Sequence, residues 1–162
     1  MFLYICLAKK MSLEIEHKYL VTSDSSKSQA SEKHEITQGY LSRDKGRTVR
    51  VRTCDNKAFL TVKGKNNGLS RPEFEYEIPL ADAIQMLAIC PPPVLTKTRH
   101  IIMHDGNRWE VDEFHGCLSG LVLAELEVPN ENYRFSLPDL VGEEVSANPN
   151  YYHSNLGLDS QP

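Results

Sequence analysis

Along most of this chain, apolar and polar residues change places at every second position. From residue 13 to 21 the order Leu-Glu-Ile-Glu-His-Lys-Tyr-Leu-Val puts Glu14, Glu16 and Lys18 on one side of an extended backbone and Leu13, Ile15 and Tyr19 on the other. That period predicts a strand with one polar and one apolar face. It returns at 48–53 with Arg50 and Arg52, at 58–63 with Thr61 and Lys63, and at 71–78 with Glu73, Glu75 and Glu77. It recurs at 96–103 with Lys97 and Arg99, at 108–114 with Glu110 and Asp112, and at 121–128 with Glu125 and Glu127. A weaker run at 35–41 supplies an eighth strand. Asp55-Asn56, Asn66-Asn67-Gly68, Asp105-Gly106-Asn107 and the stretch from His115 to Gly120 hold turn-forming residues between runs, so an antiparallel sheet of hairpins is expected. Residues 80–90 differ: Leu80, Ile84 and Leu87, with Ala83, fall at helical spacing, and Pro91-Pro92-Pro93 stops them. A second short helix is expected near 138–141, a mobile Ser- and Lys-rich loop at 22–31, and no regular period after Asn148.

Composition narrows the class. The 162 residues include Lys+Arg 18 and Asp+Glu 22, for a net charge of -4, with 40% hydrophobic residues. That is enough apolar material for one soluble domain with its own core. An acidic total removes the simplest argument for a nucleic-acid partner. Cys6, Cys54, Cys90 and Cys117 form no CxxC pair and no zinc-like run with histidine, which fits reduced thiols in the cytoplasm. The apolar stretch 1–8 is too short for a bilayer and lacks the flanks of a signal peptide, so no membrane association is expected. Residues 1–11 read as an N-terminal extension, 12–156 as the domain and 157–162 as a tail.

The charges on the polar faces are sorted by sign. Acids share a strand with acids (Glu14/Glu16, Glu73/Glu75/Glu77, Glu110/Asp112, Glu125/Glu127) and bases with bases (Arg50/Arg52, Lys97/Arg99). Same-face neighbours on a strand lie only about 7 Å apart, so each cluster repels itself and needs an ion or an opposite cluster nearby. A closed antiparallel barrel, which gathers one face of every strand into its bore, supplies that arrangement. Paired carboxylates suit hard divalent cations and Arg and Lys suit phosphoryl oxygens, a combination appropriate to phosphoryl transfer.

The residues also carry a resemblance. Glu14-Ile15-Glu16-His17-Lys18 matches an ExExK motif, and it is followed in order by Gln38-Gly39-Tyr40-Leu41, Arg50-Val51-Arg52, Leu60-Thr61-Val62-Lys63 and Ser70-Arg71-Pro72-Glu73-Phe74-Glu75. Lys97-Thr98-Arg99, Glu110-Val111-Asp112, Glu125-Leu126-Glu127 and Gly142-Glu143-Glu144-Val145 complete the series. ExExK alone arises often by chance, but the ordered series resembles the CYTH family, or triphosphate tunnel metalloenzymes, over residues 12–156. The resemblance implies a mainly β (α+β) fold, an eight-stranded antiparallel closed barrel or tunnel with a few external helices. It implies action on a triphosphate-bearing small molecule with Mg²⁺ or Mn²⁺. Carried over by position, Glu14, Glu16, Asp112, Glu125 and Glu127 become metal ligands, while Glu73 and Glu75 serve a further metal or orient the attacking water. Lys18, Arg50, Arg52, Lys63, Arg71, Lys97 and Arg99 become triphosphate-binding residues. Tyr40 falls on a tyrosine proposed in short bacterial members as a base or gate; an ordinary tyrosine pKa near 10 favours hydrogen bonding or gating. His17, His100, His104 and His115 read as solvated or packed, and Trp109 and Phe114 as packing residues.

One departure stands out. After Glu144-Val145 the family pattern continues with Thr, an acid, a base and Tyr, whereas this chain has Ser146-Ala147-Asn148-Pro149-Asn150-Tyr151. That segment plugs one tunnel end in relatives, so access or substrate length is expected to differ. The expected activity is hydrolysis of inorganic tripolyphosphate to pyrophosphate and phosphate. The alternatives are a class IV adenylate cyclase, a nucleoside or thiamine triphosphatase, and a non-catalytic polyphosphate-binding module. Outward apolar faces in excess of what one helix covers suggest a homodimer.

Overall fold

The computed structural model describes residues 12–22 and 29–158. The expected N-terminal extension, most of the Ser/Lys-rich loop and the last residues of the tail lie outside that range. The strands are β1 (Ser12–Val21), β2 (Glu32–Ser42), β3 (Arg47–Cys54), β4 (Lys57–Gly64), β5 (Ser70–Ile78), β6 (Leu95–His104), β7 (Asn107–Phe114), β8 (Val122–Glu127) and β9 (Val141–Glu144). One α-helix, α1 (Leu80–Ile89), follows β5. Single 3-10 turns occur at Gly116–Leu118 and Pro149–Tyr151.

All neighbouring strands pair antiparallel, in the order β5-β4-β3-β2-β6-β7-β8-β1-β9, and a further β5–β1 pairing closes the ring. The expected eight-stranded barrel is therefore present, with β9 added to the outer half of β1. β1 makes the seam: Ser12 to Ile15 pair with β5, Glu16 to Leu20 pair with β8, and Tyr19 and Val21 meet β9. The weak run at 35–41 lies within an eleven-residue strand that pairs on both edges. Two hairpins turn through left-handed residues, Asp55 (φ 52) in one and Asp105 (φ 46) with Gly106 (φ 77) in the other, where Asp and Gly are the favoured residue types.

Period-two alternation sends one face of each strand into the bore and the other outward, and two apolar layers cover the outside. Over β1, β6, β7 and β8, the buried residues Ile15, Tyr19, Ile102, Trp109, Val111, Ala124 and Leu126 pack with Val128 and Leu140. Over β2, β3 and β4, Val51 and Ala58 pack beneath Ala83 and Cys90, with Met86, Leu87 and Leu60 beside them. The buried face of α1 therefore runs through Ala83, Met86 and Leu87, while Leu80 and Ile84, expected on that face, point to solvent. Gly39 permits this docking: a Cβ there would stand 2.8 Å from Cys90 Sγ. The second helix expected near 138–141 is not formed. Val141 N–H reaches Pro138 C=O (3.0 Å) in a single turn, and the chain then extends to pair with β1.

At the end of the barrel where β7 passes to β8, Leu95, Phe114 and Leu123 meet Leu118, Val145 and Leu156 in a third apolar cluster. Leu156 is completely buried. The C-terminal segment thus closes this end although its acid and base are missing. Arg43 anchors it instead, with Nε donating to Ser154 C=O (3.2 Å) and Nη2 to Pro93 C=O (2.9 Å).

Candidate active site

The bore holds a cavity of about 710 Å³. Its wall includes as many carboxylates (Glu14, Glu16, Glu73, Glu75, Glu110, Glu125, Glu127) as bases (Lys18, Arg50, Arg52, Lys63, Arg71, Arg99, Arg108). The strand pattern explains the collection, because each contributing strand aims alternate residues at one volume. Barrel closure also brings the same-sign clusters against opposite ones. Glu14 receives Lys63 Nζ at 2.8 and 2.9 Å and Arg71 Nε at 2.7 Å. Burial alone raises a carboxyl, but Lys63 and Arg71 outweigh it and hold Glu14 well below the usual range. Glu73 lies 3.1 Å from Lys63 Nζ. Glu75 accepts from Thr61 Oγ1 at 2.8 Å and Arg52 Nη2 at 3.2 Å, and lies 3.4 Å from Arg50 Nη2. Lys18 Nζ donates to Glu125 Oε1 at 2.5 Å and stands 3.6 Å from Glu16. Burial opposes its charge, yet Glu125 and Glu16 keep it firmly protonated.

Two expected site residues sit behind the wall. Lys97 and Asp112 are almost fully buried, pair with each other, and do not line the cavity. Asp112 also accepts from Arg99 Nε and Nη2, both at 2.7 Å. Asp112, expected among the metal ligands, accepts from two bases, holds Arg99 toward the cavity, and has an oxygen within 4.8 Å of ligand atoms on Glu125 and His153. Burial lowers the Lys97 ammonium to about 8 despite Asp112.

Glu16 and Glu127 are in a different situation. They face each other directly across the β1–β8 ladder, and Glu127 makes no ion pair among the described residues. Like charges in opposed positions repel. Burial and Glu125 push the Glu16 carboxyl up to about 7, and burial with Glu14 raises that of Glu127. On the other side of the charge ledger, the buried Nε–H groups of Arg50 and Arg52 have no hydrogen-bond partner among the described residues. Tyr40 lines the cavity beneath Arg43, whose guanidinium lies 4.9 Å from the ring centroid, and burial raises its hydroxyl pKa.

His153 escaped the sequence reading. It lines the cavity, with Nε2 3.0 Å from Glu125 Oε1 and its ring edge-on to Phe114. Burial depresses its pKa to about 3. The four histidines read as solvated or packed lie away from the cavity wall. His17 lies outside the bore against Phe135 and Glu144, His100 faces Glu113, His104 faces Asp105 and His115 bonds Thr98.

The CYTH domain profile matches residues 12–158. The chain belongs to the CYTH domain family. Among curated CYTH relatives, an inorganic triphosphatase of Acetivibrio thermocellus is 47% identical over 147 residues, covering 90% of this chain and 94% of the relative. An inorganic triphosphatase of Nitrosomonas europaea is 32% identical over 151 residues, covering 90% and 97%. A crystal structure of an inorganic triphosphatase superposes with a TM-score of 0.65 at 28% identity, covering 92% of this chain and 97% of that one. An adenylyl cyclase candidate from Hippeastrum with a dominant triphosphatase activity shares the fold, with a TM-score of 0.59 at 16% identity over 72% of this chain and 80% of that one. The CYTH barrel, its charged bore and the ordered motifs thus coincide in one chain.

Proposed function

We propose that this CYTH protein is a divalent-metal-dependent triphosphatase that hydrolyses inorganic tripolyphosphate to pyrophosphate and phosphate. The observation that carries the reading is the pairing, among the described residues, of two opposite deficits in one cavity: Glu127, without a base and facing Glu16, whose one base is Lys18 at 3.6 Å, and guanidinium N–H groups short of acceptors at Arg50 and Arg52. A metal ion satisfies the first and a polyanion the second. The curated relatives support the choice of triphosphate.

The donor set fits a hard cation, since Glu14, Glu16, Glu125 and Glu127 offer only oxygen. Mg²⁺ or Mn²⁺ held there would neutralise phosphoryl charge and make a bound water more acidic. The chain's own groups do the positioning. Arg50 and Arg52, held by Glu75 and Thr61, grip the triphosphate with Lys63 and Arg71. Arg99, braced by Asp112, and Lys18, braced by Glu125, neutralise the leaving pyrophosphate. Lys97 supports this set from behind Asp112. Glu73, beside Lys63, orients the water that attacks in line. Tyr40 stays protonated and gates or hydrogen-bonds the substrate.

The reading extends to a cytoplasmic protein; among the described residues no helix is long and apolar enough to cross a membrane. It also extends to a homodimer through the outer face on which Leu13, Phe74 and Tyr76 remain exposed, to be checked by light scattering. The deciding experiment offers tripolyphosphate, ATP and thiamine triphosphate with Mg²⁺, Mn²⁺ or chelator, and measures phosphate and cyclic AMP. Phosphate from tripolyphosphate that stops on chelation is expected. Cyclic AMP from ATP with tripolyphosphate untouched would replace the proposal with the cyclase, and metal-dependent binding without product would replace it with the binding module.

A further inference from the structure

His34, Cys54 and Asp55 form a second cluster that the triphosphatase reading leaves unused. None of the three lines the cavity. The β2–β3 register pairs Ile36 with Cys54, so His34 on β2 and Asp55 at the following turn converge beside the thiol. One ligand atom from each residue lies within 4.8 Å of the other two. The turn is fixed from both sides, because Asp55 N–H donates to Glu35 C=O (3.0 Å) and Glu35 N–H donates to Asp55 Oδ1 (2.9 Å). That leaves Asp55 Oδ2 facing His34 Nδ1 at 2.7 Å.

The other ring nitrogen completes the pattern. His34 Nε2 lies 3.2 Å from Glu32 Oε2. In the metal-free protein Nδ1–H donates to Asp55, while Glu32 holds a proton on Nε2, so an ion that displaces the Nδ1 proton meets a ring already oriented toward the cluster, as outer partners of metal-binding histidines do. The three residues are part-buried or exposed, so an ion can reach them from solvent. Thiolate, imidazole and carboxylate together suit a borderline ion and not the hard cations expected in the bore.

We propose that His34 Nδ1, Cys54 Sγ and Asp55 Oδ2 form a Zn²⁺ site on the β3–β4 turn, separate from the tunnel metal, with Glu32 and the Glu35 amide as its outer supports. Binding forms the Zn–S and Zn–N bonds and releases the thiol proton and the His34 Nδ1 proton to solvent. Three protein ligands leave a fourth position open to water or to an incoming group.

The test uses the full chain in excess Mg²⁺, with Co²⁺ as the optical probe. A thiolate-to-cobalt charge-transfer band and tetrahedral d–d bands are expected; C54S and H34A lose them, and the exposed-cysteine variant C117S keeps them. Glu32→Gln is expected to weaken Co²⁺ binding by about 10–100-fold. Wild-type protein needs no substitution for the companion measurement, in which Zn²⁺ protects Cys54 from alkylation as read by peptide mapping. Bands that survive C54S, or alkylation of Cys54 at the same rate with and without Zn²⁺, overturn the site.

Discussion

Replacing Glu127 with Gln should make the metal-free protein more stable while removing its response to metal. Glu16 and Glu127 stand directly opposite on β1 and β8, where Cβ atoms are about 5 Å apart. Two like charges at about that distance, at an effective dielectric constant of about 20, repel by roughly 3 kcal/mol. Neutralising Glu127 relieves this, and for a chain of this size each kcal/mol moves the melting temperature by about 2–4 °C, so a rise of roughly 6–12 °C is expected in chelator. A cation that binds only the folded state stabilises wild type by about 2.7 kcal/mol at a hundred times its Kd, and E127Q should lose most of that gain. Calorimetry of both proteins in chelator and in a Mn²⁺ series measures the two effects together. If E127Q melts with or below wild type in chelator, or gains as much from Mn²⁺, the Glu16–Glu127 pair is not a metal site.

Other consequences are equally direct. Leu156→Ala empties a fully buried position in the apolar closure of the barrel and should cost about 2–5 kcal/mol in urea unfolding; a loss under about 1 kcal/mol would mean that the closure is not packed as described. Tyr40→Phe should keep turnover within about tenfold of wild type, since removing a true general base costs about 10²–10⁴; a loss in that range would make the hydroxyl a proton acceptor. Tyr19 is buried, and burial with Glu144 raises its hydroxyl to about 12. A neutral acid with a raised folded pKa contributes stability below its unfolded value near 10 and loses it as pH climbs toward 12. Wild type should therefore lose about 2–3 kcal/mol relative to Y19F between about pH 10 and 12, measured by denaturant titration, and parallel curves would remove Tyr19 from the alkaline transition.

The parts of the molecule legible in the sequence are those governed by local period. Glu14, Glu16 and Lys18 share a face because extended backbone alternates, whatever lies around it. The partners of those residues were not legible. Lys63 and Arg71 meet Glu14 through the stagger of strands around a closed ring, which no single strand records, and Lys97 and Arg99 meet Asp112 through the register of the β6–β7 hairpin. The same-sign clusters are for the most part compensated by each other, with Glu127 left over among the described residues and Glu16 held by Lys18 alone at 3.6 Å. β9 is four residues long, too short to display a period, and the turn before it resembled a helix because Pro138 suits either. His153 lies in a segment without repeat, and only the anchoring of the chain through Arg43 and Leu156 brings it to Glu125.

The seam at β1 bears on how the protein is made. Its Glu14–Arg71 contact spans 57 residues and its Lys18–Glu125 contact 107, whereas the β3–β4, β4–β5 and β6–β7 pairs are local hairpins. The earliest strand of the barrel to be synthesised thus waits for β8 before both its neighbours are present. High contact order of this kind slows folding, and an unpaired strand is an invitation to aggregate that charged residues discourage. The alternating Glu14, Glu16 and Lys18 serve β1 in that interval too, keeping one face of it polar during synthesis. A nascent chain halted before β8 holds most of its hairpins and none of its enclosed chemistry.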